Sequence, residues 1–156
     1  MMRFFVAPLL SLGAIALGGC ASTPDATPQP TAQVCASDPR VSAFKLGIES
    51  AGTGGALHVS IVSATPAWVV QGVNDWTLDV TDGSGAPRDG LTLTVKPFMP
   101  DHGHGSSTVP QVTTMGGGRY HVTGISLPMR GVWDVTVAAS GALNDAVVFT
   151  FCVDGS

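Results

Sequence analysis

From residue 41 onward, apolar and polar positions alternate with a period of two. Phe44, Leu46 and Ile48 alternate with Lys45, Gly47 and Glu49, and Leu57, Val59 and Ile61 with His58 and Ser60. Trp76, Leu78 and Val80 alternate with Asp75, Thr77, Asp79 and Thr81, and Leu91, Leu93 and Val95 with Thr92, Thr94 and Lys96. Tyr120 and Val122, then Trp133, Val135 and Val137, then Val147, Phe149, Phe151 and Val153 continue the series. Successive strand side chains point to opposite faces, so each run predicts a strand with one buried face. Turn-forming residues separate the runs: Gly52–Gly55, Thr65-Pro66, Asp82-Gly83-Ser84-Gly85, Gly116–Gly118, Pro128–Gly131 and Ser140–Asp145. No stretch keeps a helical period over ten residues. The pattern predicts an all-β, immunoglobulin-like (cupredoxin-like) antiparallel sandwich of seven to eight strands over residues 41–156.

Ser107–Thr114 is read as an edge strand, because Pro110 is tolerated only at an edge and a structureless 99–118 loop would be unusually long. Short connections reverse the chain, so loops alternate between two ends. With the edge strand counted, Cys35, Thr65–Val73, Met99–Gly105, Pro128–Gly131 and Cys152 all fall at one end, here the lower pole.

The N-terminus reads differently. Residues 1–19 carry one charge, Arg3, before an apolar run too short to span a membrane stably, as in a secretory leader. Leu17-Gly18-Gly19-Cys20 resembles a bacterial lipobox, which implies that Cys20 is lipidated and becomes the mature N-terminus. Ala21 follows where an aspartate would favour inner-membrane retention, so the outer membrane is expected. Residues 20–40 are rich in Pro, Thr, Ser and Ala and are expected to form a flexible tether.

Removing the leader leaves six basic residues against eleven acidic ones, all scattered. A phosphate backbone needs clustered lysine and arginine, so nucleic acid is excluded as a partner. Cys35 and Cys152, about 117 residues apart, predict a disulfide that would stabilise the fold by about 4–5 kcal/mol in the chain-entropy model. The competing reading is a pair of metal-binding thiolates.

The densest chemistry lies in Met99-Pro100-Asp101-His102-Gly103-His104-Gly105. Proline and two glycines make it a bend. Neutral imidazole suits copper, zinc and nickel, whereas thioether sulfur is soft and favours Cu(I). Met129 falls at the same pole. Met99, His102, His104 and Met129 are therefore the candidate ligands of a Cu(I) site, with Asp101 accepting an imidazole N–H from outside it. The alternative is that both methionines pack as core residues at strand ends. His58 and His121 read as surface residues, and Met115 becomes a ligand only without the edge strand. There is no Gly-x-Ser-x-Gly, Cys-x-x-Cys or His-Glu-x-x-His, and Glu49 is the only glutamate, so no enzyme is expected.

Asn74-x-Trp76, Asp82-Gly83-x-Gly85-x-Pro87, the Met99–Gly105 segment, Gly118-x-Tyr120, Met129-x-Gly131-x-Trp133 and a final Phe-x-Cys resemble the YtkA/FixH-like domain family over about residues 35–154. That resemblance implies a small extracytoplasmic sandwich, often on a lipoprotein and in some members associated with copper handling. The departure is a lipobox where FixH proper has a transmembrane anchor. The expected function is a lipid-anchored periplasmic Cu(I) carrier, buffer or donor, serving an envelope copper protein. The alternative is a metal-free module that docks an envelope partner through Trp68, Val69, Val70 and the Met-rich bend.

Overall fold

The computed structural model describes Cys35 and residues 37–154; the leader, Cys20 and residues 20–34 of the expected tether lie outside the described residues. Nine strands form: β1 (Ile48–Ala51), β2 (Leu57–Thr65), β3 (Gly72–Asp82), β4 (Thr92–Met99), β5 (His104–Gly105), β6 (Gln111–Gly116), β7 (Arg119–Leu127), β8 (Gly131–Ser140) and β9 (Asp145–Val153). One sheet has the order β1-β2-β3-β7-β6 and the other β5-β4-β8-β9. Every pairing is antiparallel. The sandwich is as expected, with one strand more than the upper count. The addition is β5, two residues long, which closes the histidine bend onto β4.

The inner faces carry the alternating residues. Val59, Ile61, Trp76, Leu78, Tyr120 and Val122 from the first sheet meet Leu93, Val95, Trp133, Val135, Phe149 and Phe151 from the second, all buried. Burying such side chains stabilises the fold by about 1.5–3 kcal/mol each before conformational entropy is counted. The alternation breaks once in β7, where Tyr120 and Val122 face inward but so do Ile125 and Leu127. Gly124, with a φ of +76°, takes up the extra residue as a bulge, and its N–H donates to Asp75 at 2.8 Å.

Two departures from the sequence pattern have local causes. The Phe44–Ile48 run is not a strand: Ile48 N–H donates to the Lys45 carbonyl in a turn through Gly47, and the strand begins at Ile48. Phe44 still packs, edge-on to Phe151 at 5.4 Å between ring centres. The edge strand starts later than expected, at Gln111, just after Pro110, which has no N–H for a ladder.

Cys35 and Cys152 are bonded, with Cα atoms 5.4 Å apart. The thiolate reading is thereby set aside. The bond also shortens the expected tether, because residues 37–40 form ordered turns and Ser42 N–H donates to the Thr150 carbonyl of β9. Replacing both Cys35 and Cys152 by alanine should lower the unfolding free energy by about 4–5 kcal/mol, read as a reduced urea midpoint with a steeper slope, because the unfolded chain without its cross-link exposes more surface.

Candidate functional site

Met99 and His104 close a hairpin whose four-residue turn is Pro100–Gly103. The Met99 carbonyl accepts from His102 N–H at 3.2 Å and Gly103 N–H at 2.9 Å, and Gly103 sits at a φ of +69°, where glycine meets no steric penalty. Gly105 is needed for close approach, since a Cβ there would meet the Pro97 carbonyl oxygen at 2.9 Å. The His-Gly-His-Gly spacing is thus a turn specification, and its result is that both imidazoles stand exposed at the rim.

Directly opposed residues of an antiparallel pair share a face, so Met99 and His104 project to the same side. One step beyond the Phe98–Asp134 pair, Trp133 of β8 stands beside Met99 on that face. His104, Met99 and Trp133 therefore form a row across three strands, with the His104 and Trp133 ring centres 6.4 Å apart in an edge-on arrangement. Met99 is 2% exposed and lies beneath the rim. Its terminal methyl occupies the space that a Cβ on Gly131 would need. The Trp133 indole N–H donates to the Met129 carbonyl at 2.9 Å, which fixes the 128–130 loop at the same pole, with Met129 39% exposed.

The His102 and His104 ring centres are 5.7 Å apart. With metal–nitrogen bonds of about 2 Å, two imidazoles on one ion hold their centres at most roughly 6 Å apart. The ring separation meets that limit. Imidazole nitrogen and thioether sulfur are both ligands that a soft ion such as Cu(I) accepts.

A protein-family model described as YtkA-like matches residues 54–138. The chain belongs to the YtkA-like family. No curated protein and no solved structure matches the chain. The match covers β2 through most of β8, and so the bend, Met129 and Trp133.

Elsewhere in this YtkA-like domain, Cys35, Cys152 and Asp154 bring potential metal-binding atoms within 4.8 Å of one another. Both sulfurs are consumed by the disulfide, so this is not a thiolate site. His58 lies 2.9 Å from Glu49, and His121 Nδ1 lies 3.4 Å from the Thr77 hydroxyl; both are on strand faces away from the bend. Met115 is an exposed β6 residue. Among the described residues no helix is long and apolar enough to cross a membrane.

Asp101 requires a correction. It does not accept from an imidazole; both its oxygens accept from Arg40, at 2.7 and 2.9 Å. Arg40 also donates to Asp38. The bend is therefore clasped to the segment that follows the disulfide. Sequence spacing could not reveal a contact between residues 61 apart. The roles of Trp133 and Gly131 were carried in Met-x-Gly-x-Trp, but only the packing shows that the glycine makes room for a methionine.

Hydrogen bonding to Arg40 holds the Asp101 carboxyl below its ordinary value, and the same guanidinium lowers Asp38 to about 2. Both carboxylates are solvated, so the clasp contributes little to global stability. What it contributes is present above the ordinary carboxylate range and lost as pH falls through the lowered values. Arg40→Ala should move the Asp101 midpoint upward toward the ordinary value, read by side-chain carboxyl carbon shifts. Gly131→Ala should cost about 2–4 kcal/mol, because it places a Cβ at a φ of +130° and against the Met99 methyl. A denaturant melt gives the loss, and Trp133 emission should shift with it.

Proposed function

We propose that this YtkA-like domain is a non-catalytic binding module that docks an envelope partner through its lower pole. One observation carries the reading: Trp68 is 64% exposed and Val73 60% exposed at that pole. Gln71 Nε2 donates to the Pro128 carbonyl at 2.8 Å, so the Trp68 loop and the Met129 loop are tied together. The Asn74 side chain closes the base of the Trp68 loop, accepting from Val70 N–H and donating to the Val70 carbonyl, both at 3.0 Å. A large apolar side chain held in solvent on a braced loop is the usual form of an interface anchor.

A second reading is favoured by the 5.7 Å ring pair above Met99. In it the same pole binds Cu(I) through Met99, His102, His104 and Met129 and passes it to the docked protein, itself a copper protein of the envelope. When bound, the ion supplies transferable charge. The chain's part is to hold two imidazoles at the rim, keep one thioether in reserve beneath them, and leave a methionine on the adjoining loop.

One set of measurements separates the two. Partner capture by the full chain should survive a Cu(I) chelator and the double change His102→Ala, His104→Ala. It should weaken roughly thirtyfold in Trp68→Ala, as expected for an anchor worth about 2 kcal/mol. If the pole is a copper site, the histidine pair should instead lower Cu(I) affinity by roughly a hundredfold in a chelator competition. Unchanged Cu(I) affinity in that variant ends the copper reading, and capture indifferent to Trp68 ends the docking one.

We also propose that Cys20 carries the lipid that anchors the protein in the periplasm, at the outer membrane. Cys20→Ser should abolish incorporation of radiolabelled palmitate and release the chain from the membrane pellet; retention of the label would refute the assignment.

A further inference from the structure

The chain starts a strand beside β4 and abandons it. β5 pairs only with Phe98 and Met99, Ser106 N–H donates to the Pro97 carbonyl at 3.3 Å, and the chain then crosses to the other sheet as β6. Pro97 therefore turns its carbonyl to the edge of β4. Residues two apart along a strand direct their backbone groups the same way, so Leu93 and Val95 do likewise. Among the described residues, nothing pairs with the N–H or C=O of either. Above them the lane is closed, because Leu91 N–H donates to the Tyr120 hydroxyl, which donates to the Arg88 carbonyl.

A groove of about 840 Å³ runs along this edge, between β4 and the 105–112 segment, and spreads over the outer face of β4 and β8, with Leu93 and Val95 only 7% and 4% exposed at its inner side. Its apolar lining is Val109, 75% exposed, and Val112 on the side of the 105–112 segment, Phe98, 41% exposed, on β4, and Val148, 43% exposed, at the far margin on β9. Lys96, on the outer face of β4, pairs with no carboxylate among the described residues, and the nearby Asp134 accepts from the Thr150 hydroxyl at 2.7 Å. An acyl chain would cover the walls but leave two donors and two acceptors unmet. An extended peptide satisfies both.

We propose that this groove receives an extended segment of a partner protein as an added strand on β4, hydrogen-bonded to Leu93 and Val95. Its inward residues are apolar, meeting Val109 and Val112, and its outward residue is acidic, meeting Lys96. The groove reaches the bend at Phe98 and Gly105, but neither Trp68 nor the histidines line it.

The probe is a capped heptapeptide alternating valine with threonine and glutamate, added to the full lipidated chain in detergent. Amide hydrogen exchange is read by mass spectrometry. At nine-tenths occupancy, exchange at Leu93 and Val95 should slow roughly tenfold. Lys96→Glu should remove that protection and restore it for a peptide carrying lysine in place of glutamate; Val109→Ser should weaken it. Trp68→Ala should leave it unchanged, so this test stands whatever becomes of the pole. No protection at millimolar peptide overturns the proposal. So does equal protection by a fatty acid, protection that rises with protein concentration alone, or protection present without peptide and lost on deleting residues 21–34.

Discussion

The lower pole depends on what Trp133 does with its two ends. Its ring is buried among core residues, and its one polar atom reaches the Met129 carbonyl. A buried indole N–H without an acceptor would cost about 1–3 kcal/mol, so the 128–130 loop is pulled to where the acceptor is needed. The ring also forms the end of the row that contains Met99 and His104. The bend after β4 and the loop before β8 are thus placed by one side chain. Gly131 completes the arrangement by letting Met99 fill the space that a larger residue would take.

That placement gives the bend a braced base although it is exposed. Its base is a cross-strand pair, its turn is fixed by two hydrogen bonds to the Met99 carbonyl, and Arg40 clasps Asp101 from outside. Arg40 is positioned in turn by Asp38 and by the disulfide five residues earlier. Groups held in this way lose little conformational freedom when something binds them, and that saving goes into affinity. The same holds for Trp68, whose loop is closed by Asn74 and Gln71.

Much of the architecture is legible in the order of residues alone. Period-two alternation fixes which face of each strand is buried, and a sandwich follows because each sheet has one such face to cover. Reversal at each short turn then placed both cysteines, the bend and Met129 at one pole. The edge strand was legible from Pro110, although its start was not, because a proline marks where pairing fails and not where it begins. Arg40 with Asp101 was out of reach, since two scattered surface charges carry no period. The Gly124 bulge was hidden for a related reason: one extra residue changes which face is inward, and a short run does not show the change. Within the candidate site, the residue types were visible, but burial was not. Met99 reads the same as Met129 in sequence, yet one is a core side chain and the other sits at the rim.

This difference between the two methionines bears on how the pole works. Two residues of Met-x-Gly-x-Trp have structural roles that need no ligand: Trp133 orders the loop and Gly131 accommodates Met99. His102 and His104 have no such role. Neither ring fills the core, and among the described residues His104 Nδ1 hydrogen-bonds only to the neighbouring Gly105 carbonyl, at 3.2 Å. Exposed imidazoles on a turn built from glycines, beside an exposed tryptophan on a braced loop, are groups that the fold holds in solvent and does not use in its core. The frame accounts for its own stability without them, so core packing gives no reason for these side chains to stand at the pole.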